Sequence, residues 1–227
     1  MADALGAADI DGTVSFAGRV ERPAPHALPV RTGGFGGAEG LAAHLRAEGV
    51  THLVDATHPF AASMSRNAVE GARMAGVPML ALTRPAWEPG PGDRWERVRD
   101  MGAAVRALDR PPLRVMLAVG RMHLPDFAAN PQHAYLLRLV DPPEALPFPD
   151  AEVVVSRGPF TPEGDRALME RHGTELVVSK NSGGTGARAK LDAARGLGLP
   201  VLMIDRPLLP DRREVGSVEA VLDWVRG

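Results

Sequence analysis

Residues 51–85 read THLVDATHPFAASMSRNAVEGARMAGVPMLALTRP, and residues 174–207 read TELVVSKNSGGTGARAKLDAARGLGLPVLMIDRP. The second stretch echoes the first. Each opens with T-x-L-V, passes a polar strand end, carries Ala-Arg within a helical stretch, turns at G-x-P, and closes on an aliphatic strand and Arg-Pro. The register slips by one residue around the loop or the helix start. A strand, a helix and a second strand in this order make a βαβ unit, whose strands lie parallel and whose helix covers a face of the sheet. A G-x-P turn alone is a common helix-to-strand junction, whereas the whole series repeated points to two similar α/β units.

The alternation extends outward. Apolar runs predict strands at Thr13–Phe16, His52–Asp55, Met79–Leu82, Arg114–Val119, Tyr135–Leu139, Glu152–Val155, Glu175–Val178 and Val201–Ile204. Helical spacing covers Leu41–Ala47, Pro59–Ala75, Thr161–Arg171, Ala187–Leu197 and Ser217–Arg226. The expected fold is α/β, with two Rossmann-like parallel-sheet units and helices on both faces. The "DRPP" interruption at Asp109–Pro112 sets the expected domains at residues 1–110 and 111–227. Aromatic residues are only 4%, so the core is aliphatic.

Net charge is -2, which gives no general affinity for nucleic acid or a membrane surface. Among the 26 basic residues only Lys180 and Lys190 are lysines. With no cysteine, disulfides, thiolate zinc sites, iron–sulfur clusters and cysteine nucleophiles are excluded. The opening MADALGAADIDG has neither a basic nor an apolar leader segment, and no apolar run reaches the roughly 18 residues of a membrane span. A soluble, cytoplasmic protein is expected. Oligomeric state cannot be read from the sequence.

Ligands of open parallel sheets bind beyond the carboxyl ends of the strands, and these ends are polar here. VDATHPFA (54–61) ends a strand with Asp55, Thr57 and His58 before Pro59 opens a helix. His58 could serve as an acid or donate to an anionic substrate. Equally, Thr57 or Asp55 could simply cap the helix. Asp55 and His58 have no second His/Asp cluster beside them, so no metal is expected. SFAGRVERP (15–23) offers Ser15 and Arg19 to a ribose and its 2′-phosphate, and also fits a surface turn. RTGGFGGAEG (31–40) does not match G-x-G-x-x-G. SKNSGGTGARAK (179–190) places Lys180, Asn181, Ser182, Gly183 and Gly184 before a helix, where N–H groups receive anions. It is not a P-loop, since Leu191 follows Lys190. AVGRMHL (118–124) and VVSRGPF (154–160) add Arg121 and Arg157 to the same mouth. There is no G-x-S-x-G elbow and no basic-aromatic interleaving.

SFAGR, GGFGG, VDATHPFA, GR-x-H-L, SRGPF and SKNSGG, in this order from about Thr13 to Pro207, resemble the precorrin-6A reductases of cobalamin biosynthesis. The resemblance implies NADPH-dependent reduction of one double bond in a tetrapyrrole macrocycle rich in acetate and propionate carboxylates. It implies that Ser15, Gly18 and Arg19, with Asp55 and Thr57, serve the cofactor in the N-terminal unit. Arg121, Arg157, Asn181, Ser182, Gly183 and Gly184 would meet the substrate, and His58 or Lys180 would position it or supply the proton. Relatives open with an apolar strand ending in Gly-Gly-Thr. Residues 3–12 here look like the tail of the helix that follows, so that strand and loop are absent from this sequence. Two further readings stay open: the cobalt-containing version of the step in the anaerobic pathway, and a non-catalytic binder of tetrapyrroles or nucleotides.

Overall fold

The computed structural model describes residues 1–17 and 26–227. Gly18 and Arg19 therefore lie outside the described residues. The chain divides into two compact units, Met1–Arg84 with Leu208–Gly227, and Pro85–Pro207.

The first unit contains α1 (Ala2–Ala7), β1 (Val14–Phe16), β2 (Val30–Thr32), α2 (Gly37–Ala47), β3 (Leu53–Asp55), α3 (Ala62–Ala75) and β4 (Met79–Leu82). The second contains β5 (Arg94–Val98), α4 (Met101–Ala107), β6 (Arg114–Ala118), a 3₁₀ helix (Arg121–Ala129), β7 (Ala134–Leu139), β8 (Ala151–Val155), α5 (Pro162–His172), β9 (Leu176–Lys180), α6 (Ala189–Gly196) and β10 (Pro200–Ile204). The chain then returns to the first unit as β11 (Glu214–Val215) and α7 (Val218–Arg226). Every strand pairing among the described residues is parallel. The fold is thus α/β, with parallel sheets flanked by helices.

In the second unit the strand order is β5-β10-β9-β6-β7-β8. Met116, Leu136, Val177 and Val201 align across neighbouring strands and pack with Leu168 and Met169 of α5 and Leu191 of α6. The alternate residues Val115, Leu117, Leu137, Val178 and Leu202 are equally buried. Strands buried on both faces need continuous apolar runs, which is why these read clearly in the sequence.

In the first unit β11-β4-β3 form one sheet and β1-β2 another. Leu41 and Leu45 of α2 pack with Ala68 of α3 against Leu53 and Met79. Both copies of the echo are parallel βαβ units, β3-α3-β4 and β9-α6-β10. Gly76 (φ 71°) and Gly198 (φ 65°) end their helices in the left-handed conformation that side chains resist. The division between units lies at Arg84–Pro85, ahead of the expected Asp109–Pro112. β5 joins β10, and α4 packs on both strands, so the segment before DRPP belongs to the second sheet.

Candidate active site

The D-A-T-H-P residues gather at the carboxyl end of β3. Buried Asp55 accepts the Thr57 N–H on Oδ1 at 3.0 Å. Its Oδ2 accepts from Ser65 Oγ and from Arg212 Nη1, each at 2.7 Å. One carboxylate thus ties together the strand end, the first turn of α3 and the segment leading into β11. Arg212 Nε also donates to Glu214 at 2.9 Å. His58 Nδ1 accepts the Phe60 N–H at 3.1 Å, which leaves the proton of the neutral ring on Nε2. Thr57, His58 and Pro59, with Leu82, Thr83 and Arg84 from the end of β4, line a cleft of about 310 Å³. Asp55 is not among its lining residues. It shapes the turn from beneath.

Ser15 pairs in register with Arg31 across β1 and β2. Arg31 Nη1 donates to Ser15 Oγ at 3.3 Å and to the Gly33 carbonyl at 2.6 Å, and Nη2 to the Gly34 carbonyl at 2.9 Å. The guanidinium stacks on Phe35, 3.9 Å from the ring centroid. Among the described residues, a Cβ on Gly33, Gly34, Gly36 or Gly37 would meet nothing within 4 Å. Open space against bare backbone, at the start of α2, is what a dinucleotide cofactor requires. The Ser15 hydroxyl, the Arg31 guanidinium and this glycine-lined space fit such a cofactor. Arg31 was not a candidate from sequence alone. Its pairing with Ser15 depends on the register of two three-residue strands, which leaves no signal in the sequence.

In the second unit, Lys180 closes β9. A Cβ on Gly120 would lie 3.6 Å from Lys180 Nζ, so the lysine rests against the G-R-M-H turn. Burial pushes its ammonium down to about 8. The following loop is fixed from behind. Asn181, only 2% exposed, accepts the Trp87 N–H at 2.8 Å and donates to the Trp87 carbonyl at 2.9 Å. Trp87 Nε1 donates to the Gly184 carbonyl at 2.7 Å. Arg206 donates to the carbonyls of Asn181 (3.0 Å) and Ser182 (3.2 Å). At Gly183 (φ 68°) a Cβ would overlap the Pro85 carbonyl and Arg206 Nη2, so only glycine fits. Asn181 therefore acts on the shape of the loop, with its amide engaged on Trp87. Trp87 and Arg206 carry no local signature in the sequence that marks them as the loop's supports.

Arg121 is exposed at the head of the 3₁₀ helix, and exposed Arg157 pairs with Asp141 at 2.6 Å. Arg138 and Asp165 form a buried ion pair, and Arg138 stacks 3.6 Å from the ring centroid of Phe160 in S-R-G-P-F. Lys190 is 4% exposed. It donates to the Ala187 carbonyl at 2.6 Å and lies 5.0 Å from the Trp87 ring centroid.

Burial pushes the Lys190 ammonium down to about 7, with Arg138 acting the same way and Asp165 opposing. In the unfolded chain a lysine titrates near ~10.4. Between those values the unfolded chain holds a proton that the folded chain has released, so this group makes stability rise with pH. Below about 7 its charge-burial cost is present in full. Relative to Lys190→Met, the wild-type melting temperature is expected to climb as pH goes from about 7 to about 9. Parallel melting profiles for the two proteins would refute this account of Lys190.

The chain matches the family model described as Precorrin-6x reductase CbiJ/CobK over residues 1–226. It is 52% identical over 226 residues to the precorrin-6A reductase of Rhodobacter capsulatus, covering 99% of this chain and 90% of that protein. Identity to the precorrin-6A reductase of Rhodococcus erythropolis is 44%, over 95% of this chain and 88% of the relative. The cobalt-precorrin-6A reductase of Priestia megaterium is 30% identical, over 82% of this chain and 76% of the relative. A solved structure described as CobK precorrin-6A reductase superposes with a TM-score of 0.91 at 52% identity, covering 99% of this chain and 91% of that one.

Proposed function

The chain belongs to the precorrin-6x reductase family, and we infer from that membership and from its two strand-end sites that it catalyses the precorrin-6A reductase step of cobalamin biosynthesis, with NADPH as reductant. The full-length match at 52% identity carries this reading. The metal-free substrate is favoured over cobalt-precorrin-6A by identities of 52% and 44% against 30%.

The division of labour follows from the chemistry of each site. NADPH, when bound, supplies the hydride. Ser15 and Arg31 hold its adenosine end, joined by Gly18 and Arg19, and Thr57 lies on the same unit's cleft. Asp55 serves this cofactor side by fixing the Thr57 N–H and the start of α3. In the other unit Arg121 and Arg157 meet substrate carboxylates, for which a guanidinium is a matched fork. Ser182, Gly183 and Gly184 offer backbone close to the ring, and Asn181 keeps that backbone in place. Reduction adds a hydride to one carbon and a proton to its neighbour across the double bond. Lys180 supplies the proton or stabilises the electron pair that receives it, and His58 is the second candidate for that task.

No helix among the described residues is long and apolar enough to cross a membrane, and a cytoplasmic location is part of the same proposal. The decisive experiment follows NADPH oxidation by the purified protein with and without precorrin-6A. Oxidation is expected only with substrate, one equivalent per macrocycle, giving a product heavier by two hydrogens. Tight binding of the macrocycle with no oxidation would instead identify a non-catalytic tetrapyrrole binder.

A further inference from the structure

β7 carries an arginine where its sheet face calls for an apolar residue. Side chains two apart on a strand share a face, and Leu136 packs with Leu168 and Met169 of α5 in the core. Arg138 continues that face. Asp165, about one turn before Leu168 on α5, meets it as a buried ion pair, the two side chains being 10% and 4% exposed. Val154, the cross-strand neighbour of Arg138, packs against the same core. Burial pushes the Asp165 carboxyl up and the Arg138 guanidinium down, and the attraction between them opposes both. Asp165 Oδ2 is buried with no hydrogen-bond partner among the described residues. Apolar side chains of similar volume often serve a core at least as well as such a pair. What the pair supplies instead is a flat guanidinium held in one orientation.

That plane carries the S-R-G-P-F turn through Phe160, whose ring centroid is 3.6 Å from the Arg138 guanidinium carbon. A Cβ on Gly158 would lie 3.4 Å from Phe160 Cε2, so the ring also packs against the turn's own backbone. Upstream, the Ser156 N–H donates to the Leu139 carbonyl at 2.8 Å. Downstream, Thr161 caps α5 by accepting the Gly164 N–H at 3.1 Å. Arg157 lies between these anchors, exposed, with the likewise exposed Asp141 as its partner. An ion pair so open to solvent is weak, and a ligand carboxylate can take the place of the aspartate. We propose that Arg138, held by Asp165, is a positioning residue for the substrate: through the Phe160 ring it fixes the turn that presents Arg157 to a carboxylate arm of the tetrapyrrole. The inference rests on the reading of the chain as a precorrin-6A reductase. Arg138 acts through the ring and makes no substrate contact of its own. A guanidinium fork matches a carboxylate only in a set orientation, which is what a fixed turn provides.

The test separates positioning from stability. Precorrin-6A and NADPH are titrated separately into the full chain, by quenching of tryptophan fluorescence. Replacing the pair together, Arg138→Met with Asp165→Leu, refills the space and leaves neither charge of the pair without the other. The urea midpoint is expected not to fall, while the Kd for precorrin-6A rises about tenfold. The Kd for NADPH should stay within about twofold of wild type, because a charge-assisted bond is weakened to one ligand only. In turnover, KM should rise with kcat held within about threefold. Arg157→Met should raise the Kd for precorrin-6A about tenfold in the wild-type background and less than about twofold in the double variant, because both changes remove one contact. Phe160→Leu, which leaves the ion pair in place, should reproduce the rise, and Phe160→Tyr, which keeps the ring, should not. An unchanged Kd for precorrin-6A in the double variant or in Phe160→Leu overturns the inference, as does an Arg157→Met effect equal in the two backgrounds. A lowered urea midpoint with both Kd values raised together assigns the pair to the fold alone and overturns it too. If the double variant fails to fold, Phe160→Leu decides. If the wild-type chain itself fails to bind precorrin-6A, the underlying reductase reading falls with it, whereas the other failures leave that reading standing.

Discussion

Replacing Lys180 with methionine is expected to lower kcat for precorrin-6A reduction by about 10²- to 10⁴-fold, the usual contribution of a positioned general acid. The side chain stands at the end of β9 against Gly120, and burial brings its ammonium down to about 8. At neutral pH it is still protonated, yet it releases a proton far more readily than an exposed lysine. The sign of the pH dependence follows. The acid form acts, so wild-type kcat should fall as pH rises through about 8. Lys180→Arg should not rescue turnover, because a guanidinium keeps its charge but does not give up its proton. NADPH affinity should be unaltered in Lys180→Met. If Lys180→Met keeps turnover within tenfold of wild type, the proton task passes to His58, and His58→Ala becomes the damaging change. Normal turnover in both variants would remove the role from both residues.

The second large effect is on stability. Asp55→Ala is expected to cost about 3 kcal/mol, because it leaves the buried Arg212 guanidinium with the half-exposed Glu214 as its one remaining acidic partner among the described residues. Arg212 and Asp55 side chains are 9% and 2% exposed. The same change removes acceptors for the Thr57 N–H and the Ser65 hydroxyl. The readout is the urea midpoint. A double change, Asp55→Ala with Arg212→Met, should cost less than Asp55→Ala alone, because the buried cation is then gone and the charge that loses its partner, Glu214, is half-exposed. An unchanged midpoint in the single variant would show that Glu214, which already accepts from Arg212 Nε at 2.9 Å, is counter-ion enough for the guanidinium.

How much of this was legible in the sequence depended on how local each cause was. β6, β9 and β10 announced themselves because burial on both faces demands unbroken apolar runs. β5 did not: R-W-E-R-V is an edge strand of its sheet, and its charges stand in solvent. β2 and β11, with three and two residues, were too short to leave a pattern. The polar strand ends could be read as ligand mouths because parallel sheets place their ligands there. The supports of those mouths could not. Asn181 and Trp87 are 94 positions apart, and Arg212 and Asp55 are 157 apart. Nothing in the composition of either segment announces its partner. Arg206 was visible as half of a repeated Arg-Pro, but its bonds to the carbonyls of Asn181 and Ser182 were not.

The return of the chain at Leu208 also sets an order of synthesis. All six strands of the larger sheet lie between Pro85 and Pro207, so that sheet can close as soon as β10 leaves the ribosome. β4 obtains β11, and Asp55 obtains its guanidinium, only when the last 20 residues or so have been made. Domains usually finish in the order in which they are translated. Here the half that begins first is completed last, and until then a nascent chain carries a buried-site carboxylate with no countercharge and a strand edge with no neighbour.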